Sequence, residues 1–139
     1  MLVIDWRCDW IGPGIAERLV REGHQVQLAV NGTHCGESLP LYVRDQLAGE
    51  LHRLGIPVTP YARLYGSDDN TVYLQHTASG DPMIFEGIDT LVLCMGHQPQ
   101  DRLATELAGV VDVRRIGDCL APRTAEEAIH DGLTVAWAL

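Results

Sequence analysis

The sequence predicts an α/β fold: a Rossmann-like parallel sheet flanked by helices, with an antiparallel β-meander as crossover. Three observations carry this. A strand-like run, a helix and a second strand follow one another within residues 2–30, which is a βαβ unit with a right-handed crossover. Residues 58–86 then change to short strand-like runs separated by turn residues, the pattern of a meander. Finally, residues 90–95 form an uninterrupted apolar run, expected at the centre of a parallel sheet whose two faces are both covered.

In chain order, Leu2, Val3 and Ile4 form the first strand and residues 5–10 a loop. A helix starts near Gly12 and Pro13, because proline suits a first-turn position. Ile15, Leu19 and Val20 line its buried side, Arg18 and Arg21 suit its carboxyl end, and Gly23 ends it. Residues 25–30 are the second strand. Residues 41–54 repeat leucine at helical spacing (Leu47, Leu51 and Leu54), which predicts a second helix stopped by Gly55. Residues 58–64, 71–77 and 83–86 are the three meander strands. Residues 101–107 are a short helical turn, residues 110–116 the last strand and residues 124–139 the last helix. Helices are expected on both faces of the parallel sheet.

With 139 residues, 46% of them hydrophobic, the chain holds a core for one domain or a domain and part of another. The formal charge of −9 argues against nucleic acid or an anionic membrane as partner. No apolar run reaches the ~18–20 residues of a membrane span, and nothing resembles a signal peptide. All ten basic residues are arginines, which excludes a Walker lysine, a Schiff-base lysine and a lysine general base. Cys8, Cys35, Cys94 and Cys119 form no C-x-x-C pair, so neither a zinc ribbon nor a thioredoxin-type centre is written here. A reduced, cytoplasmic setting fits. No two histidines lie at i,i+4, and His34 beside Cys35 has no further ligand at a usual spacing; no metal is expected.

The most informative stretch is residues 116–132. Ile116 leads into a Gly117–Asp118 turn, and a helix follows from Thr124 and Ala125. Glycine lets a backbone approach a ligand closely, aspartate accepts hydrogen bonds from hydroxyls, and a helix start offers N–H groups and a positive dipole end to an anion. These residues suit the sugar and phosphate of a dinucleotide; equally, Asp118 suits a plain turn and the helix plain packing. Glu126 and Glu127 stand where carboxylates stabilise a helix start. At the first strand–helix loop a diphosphate site needs G-x-G-x-x-G, yet Asp5, Arg7, Cys8, Asp9 and Trp10 occupy it, leaving Gly12 and Gly14. Arg7 would attract a diphosphate; Asp5 and Asp9 would repel it. At the end of the second strand, Val30 and Asn31 replace the acidic residue that grips an adenosine ribose. The scaffold is of the dinucleotide-binding type while this loop departs from it.

Three segments resemble the C-terminal NAD/FAD-like region of the trimethylamine dehydrogenase and 2,4-dienoyl-CoA reductase family, the NADH:flavin oxidoreductases of the Old Yellow Enzyme group. They are residues 2–30, with Ala16, Glu17, Arg18, Leu19, Gly23 and His24, then residues 88–99, then residues 116–132. The resemblance implies an NAD(P)-binding-like inserted domain over residues 1–109 and a returning strand and helix of a FAD-like domain over residues 110–139. It implies FAD or ADP at Gly117, Asp118, Thr124 and Ala125, with NAD(P)H at Gly12, Gly14 and Arg7 as the weaker set. No catalytic residue is implied. In the family a barrel carries FMN and a cysteine-rich loop carries a [4Fe–4S] cluster, and neither is present here. The expected role is therefore to seat a dinucleotide within a flavin-dependent oxidoreductase, completed by the missing barrel and FAD-like region or by a separate subunit. The chain alone is expected to be inactive, and a homo-oligomer is compatible. The alternative is a structural module that has lost nucleotide binding and serves packing or assembly, which the aromatics Trp6, Trp10 and Trp137 favour if exposed.

Overall fold

A computed structural model describes all of residues 1–139. The chain divides into two compact units, Met1–Gly96 and His97–Leu139.

In the first unit, β1 (Leu2–Asp5), β2 (Gln27–Val30), β3 (Val58–Thr59) and β7 (Leu91–Cys94) form a parallel sheet in the order β3-β2-β1-β7. The helices α1 (Ile11–Arg21) and α2 (Leu41–Arg53) connect β1 to β2 and β2 to β3. The strands β4 (Ala62–Asp68), β5 (Thr71–His76) and β6 (Pro82–Phe85) make the expected antiparallel meander between β3 and β7. Strand alternation splits the core in two. Val3, Leu28 and Val30 pack with Ala16 of α1 and Leu51 of α2, while Leu2, Ile4 and Ala29 pack with Ala62, Val72 and Leu74 of the meander. The expectation of helices on both faces is thus corrected. Both helices of this unit cover one face, and the meander covers the other.

Two further departures have local causes. The expected strand over residues 58–64 breaks at Tyr61, whose φ is +54°. Its N–H donates to the Gly32 carbonyl at 2.9 Å and its carbonyl accepts from Thr77 N–H at 2.7 Å, so β3 stays in the parallel sheet and β4 turns into the meander. The run over residues 90–95 forms β7 at an edge of the parallel sheet rather than its centre; Leu93 is 53% exposed and Cys94, expected in the core, is half-buried.

In the second unit, α3 (Arg102–Glu106) is the expected helical turn, and a 3-10 turn (Gly117–Cys119) precedes α4 (Ala125–Trp137). Residues 110–116, expected as the last strand, pair with nothing and carry no strand. A strand exists only through a neighbour's hydrogen bonds. Along α4 no residue is fully buried; Ile129 is 72% and Trp137 81% exposed. Trp6 and Trp10 are exposed as well. No helix is long and apolar enough to cross a membrane.

Candidate functional site

Each unit holds one of the two expected groups of residues. In the first unit they gather at the start of α1. Asp5 ends β1, level with Val30 and Cys94 at the ends of the neighbouring strands. It is 1% exposed. Its Oδ1 accepts the Cys8 N–H at 3.0 Å, and its Oδ2 is buried with no hydrogen-bond partner. Burial raises its pKa from 3.8 to about 6, and the Asp9 charge adds to this. Gly12 is where it is because of Asp5: a Cβ there would stand 2.6 Å from Asp5 Cβ and 2.7 Å from Cγ. Gly14 faces no such demand, since nothing lies within 4 Å of a Cβ built on it.

Open donors at this helix start are few. Ile11 N–H donates to Asp9 Oδ1 at 2.9 Å, and Gly14 N–H donates to the Trp10 carbonyl at 3.0 Å. Pro13 has no N–H. Arg7 is paired with Asp9 at 3.1 Å. The nearby thiols are chemically quiet: burial pushes Cys8 up, Cys35 to about 12 and Cys94 to about 11, so none is a thiolate nucleophile at neutral pH.

Beyond β2, the loop builds a polar run that the sequence did not reveal. Arg44 of α2 donates to His34 Nε2 at 2.8 Å, which leaves the ring proton on Nδ1, 2.6 Å from Thr33 Oγ1. Thr33 in turn donates through Oγ1 to Glu37 Oε1 at 3.1 Å and through N–H to Oε2 at 2.9 Å. These bonds hold the Glu37 pKa below its usual value. The run borders a cleft of about 480 Å³ whose walls include Leu51, His52 and Pro60. Arg44 lies ten residues from His34 on another element, so no local spacing signals the contact.

In the second unit the structure does bring Gly117, Asp118, Thr124 and Ala125 into one neighbourhood, through the packing of the 3-10 turn on α4. Gly117 is buried at φ +59°, and a Cβ on it would stand 3.2 Å from Ala128 Cβ. Its N–H donates to Asp131 Oδ2 at 3.2 Å, and the same oxygen takes the Arg123 guanidinium. Asp118 is exposed, and its Oδ1 accepts the Arg123 N–H at 3.4 Å. Arg123 and Asp131 thus tie the turn to the helix; neither was read as a site residue from the sequence, although Arg123 is the one arginine within residues 116–132.

The start of α4 is capped from within the chain. Glu127 reaches back to the Thr124 N–H at 3.0 Å and also takes the Thr124 hydroxyl, and these bonds lower its pKa. The capping role read for Glu127 is the one observed. Replacing Thr124 by alanine is expected to lower stability by about 1 kcal/mol, read by urea denaturation; an unchanged midpoint would remove the cap from the account.

No family model matches the sequence, and no curated protein matches it either. Solved structures do. Histamine dehydrogenase from Rhizobium sp. 4-9 aligns over 99% of this chain with a TM-score of 0.86 and 19% identity. An amine oxidase for 6-hydroxypseudooxynicotine from Pseudomonas geniculata N1 aligns over 96% with 0.81 and 21%. A 2-naphthoyl-CoA reductase aligns over 94% with 0.77 and 26%. All three are members of the trimethylamine dehydrogenase and dienoyl-CoA reductase family, so the resemblance read from the sequence holds. The chain spans only 23%, 21% and 20% of those proteins' lengths.

Proposed function

We propose that this chain is a cofactor-scaffolding part of a flavin-dependent oxidoreductase, seating the adenosine diphosphate portion of FAD, or ADP itself, at the Gly117–Asp118 turn. The observation that carries this reading is an exposed Asp118 carboxylate, its Oδ1 accepting the Arg123 backbone N–H, beside the amino end of α4: an acceptor for ribose hydroxyls next to a helix end that suits a phosphate. Likeness over nearly the whole chain to enzymes of a flavin-dependent family supports it. Residues 1–109 would be the NAD(P)-binding-like domain and residues 110–139 the returning part of the FAD-like one. Bond chemistry would belong to the bound cofactors, which relay hydride or electrons, in the company of a barrel or subunit that supplies FMN and the iron–sulfur cluster. Asp118 would fix the ribose; Gly117 and Asp131 would hold the turn in place.

Calorimetric titration of the chain with ADP, FAD, NADH and NADPH tests this. Binding of ADP or FAD is expected, with Asp118→Ala weakening it about tenfold or more, the scale of one hydrogen bond to a charged group. Silence towards all four ligands would favour a second reading, a structural module without nucleotide binding. A specific observation supports that second reading: α4 is capped by its own Thr124 and Glu127, and its apolar residues Ile129 and Trp137 lie exposed, as a packing surface would.

A further inference from the structure

We infer that Asp5 is the residue that closes the amino end of α1 to a dinucleotide, its side chain filling the space a diphosphate would take. The inference goes beyond the proposed function and stands on the first unit alone, whether or not the Gly117 turn seats a cofactor.

In an open parallel sheet the diphosphate sits outside the carboxyl ends of the strands, over the first strand–helix loop. It needs close backbone approach and unengaged N–H groups at the helix start. Asp5 stands at that end of β1. Its side chain is turned onto the first turn of α1, where Gly12 leaves room for it: a Cβ on Gly12 would come within 2.9 Å of Asp5 Oδ2. Glycine at that place ordinarily serves a ligand's approach; here it serves a carboxyl group of the same chain. The buried Oδ2 with no partner is a polar atom facing the helix start, where an anion would otherwise lie.

The groups around it add to the exclusion. Asp9 has taken the Ile11 N–H and the Arg7 side chain, so the one arginine of the loop is committed. A phosphate arriving here would meet two carboxylates and few open donors.

The test is an NADH titration, followed by fluorescence, of the full chain carrying Asp118→Ala, so that the Gly117 turn does not contribute. In that background Asp5→Gly is expected to bind NADH at least about tenfold more tightly than the parent, with Asp5→Ala between them. Circular dichroism establishes that each variant is folded. If Asp5→Gly does not fold, Asp5→Ala decides: a gain of about threefold or more supports the inference and no gain overturns it. A folded Asp5→Gly chain that binds NADH within about twofold of the parent overturns it. So does a parent that already binds NADH tightly and loses that binding on Arg7→Ala.

Discussion

Relative to the parent, a chain carrying Asp5→Asn is expected to gain about 2.5 kcal/mol of stability as pH rises from 4 to 7. The carboxyl group has a pKa near 6 in the fold against 3.8 for the free side chain, chiefly because burial disfavours its charge. The folded state therefore binds this proton more strongly than the unfolded state does. Its stabilising contribution is complete below about pH 4, declines as pH rises towards 6 and is absent above that. Asparagine keeps an oxygen for the Cys8 N–H but has no proton to lose, so its stability lacks this decline. Urea denaturation of both proteins at half-unit steps between pH 4 and 8 reads the difference. Parallel stability profiles would mean that Asp5 is not the buried, underbonded carboxyl group described above. Other carboxylates do not mimic the effect: Glu37, Glu50 and Glu127 have lowered pKa values, which contribute in the opposite direction and are common to both proteins.

Gly12→Ala is expected to lower stability by about 2–3 kcal/mol. Two effects oppose each other. Alanine improves a helix position by at most about 1 kcal/mol over glycine. Against this, its methyl group would stand 2.6 Å from Asp5 Cβ, and Cβ moves only with the backbone of β1, which is buried between two strands. The clash wins. Combining Gly12→Ala with Asp5→Gly removes the obstructing atoms, so the double-mutant cycle should show a coupling of about 2 kcal/mol. Gly14→Ala is the internal control. It lies two residues away with open space around it and should be neutral or slightly stabilising. Thermal denaturation of the four proteins of the cycle, with Gly14→Ala beside them, measures this. Additive effects would show that the two side chains do not contend for the same space.

Much of the fold was legible because its signals are local. Pro13 in its first turn and Gly23 just past its end mark α1, Leu47 and Leu51 with Leu54 at the end mark α2, and Gly80 and Asp81 separate β5 from β6. What failed depends on neighbours. An apolar run reads the same whether it becomes a central or an edge strand, so the place of β7 could not be seen in residues 90–95. The split at Tyr61 is a positive φ on a residue that gives no warning of one. Residues 110–116 have strand-like composition but no pairing partner. The candidate sites show the same division. That Asp5 and Asp9 would repel a diphosphate follows from charge alone. That Asp5 lies against Gly12, that Arg44 reaches His34, and that Asp131 holds both Gly117 and Arg123 are contacts between elements, which spacing along a chain does not encode.

The parallel sheet also sets the order in which the chain is able to fold. β1 leaves one of its two sides to β7, so Leu2 must wait for Leu91, while β2 comes within reach after a single helix. Closing so long a loop costs entropy before any pairing repays it. The βαβ start and the hairpins of the meander therefore form early from nearby residues, and the seam between β1 and β7 closes last. Until it does, one long side of the first strand stays unzipped, and contact order alone makes that seam the expected slow step in the assembly of this molecule.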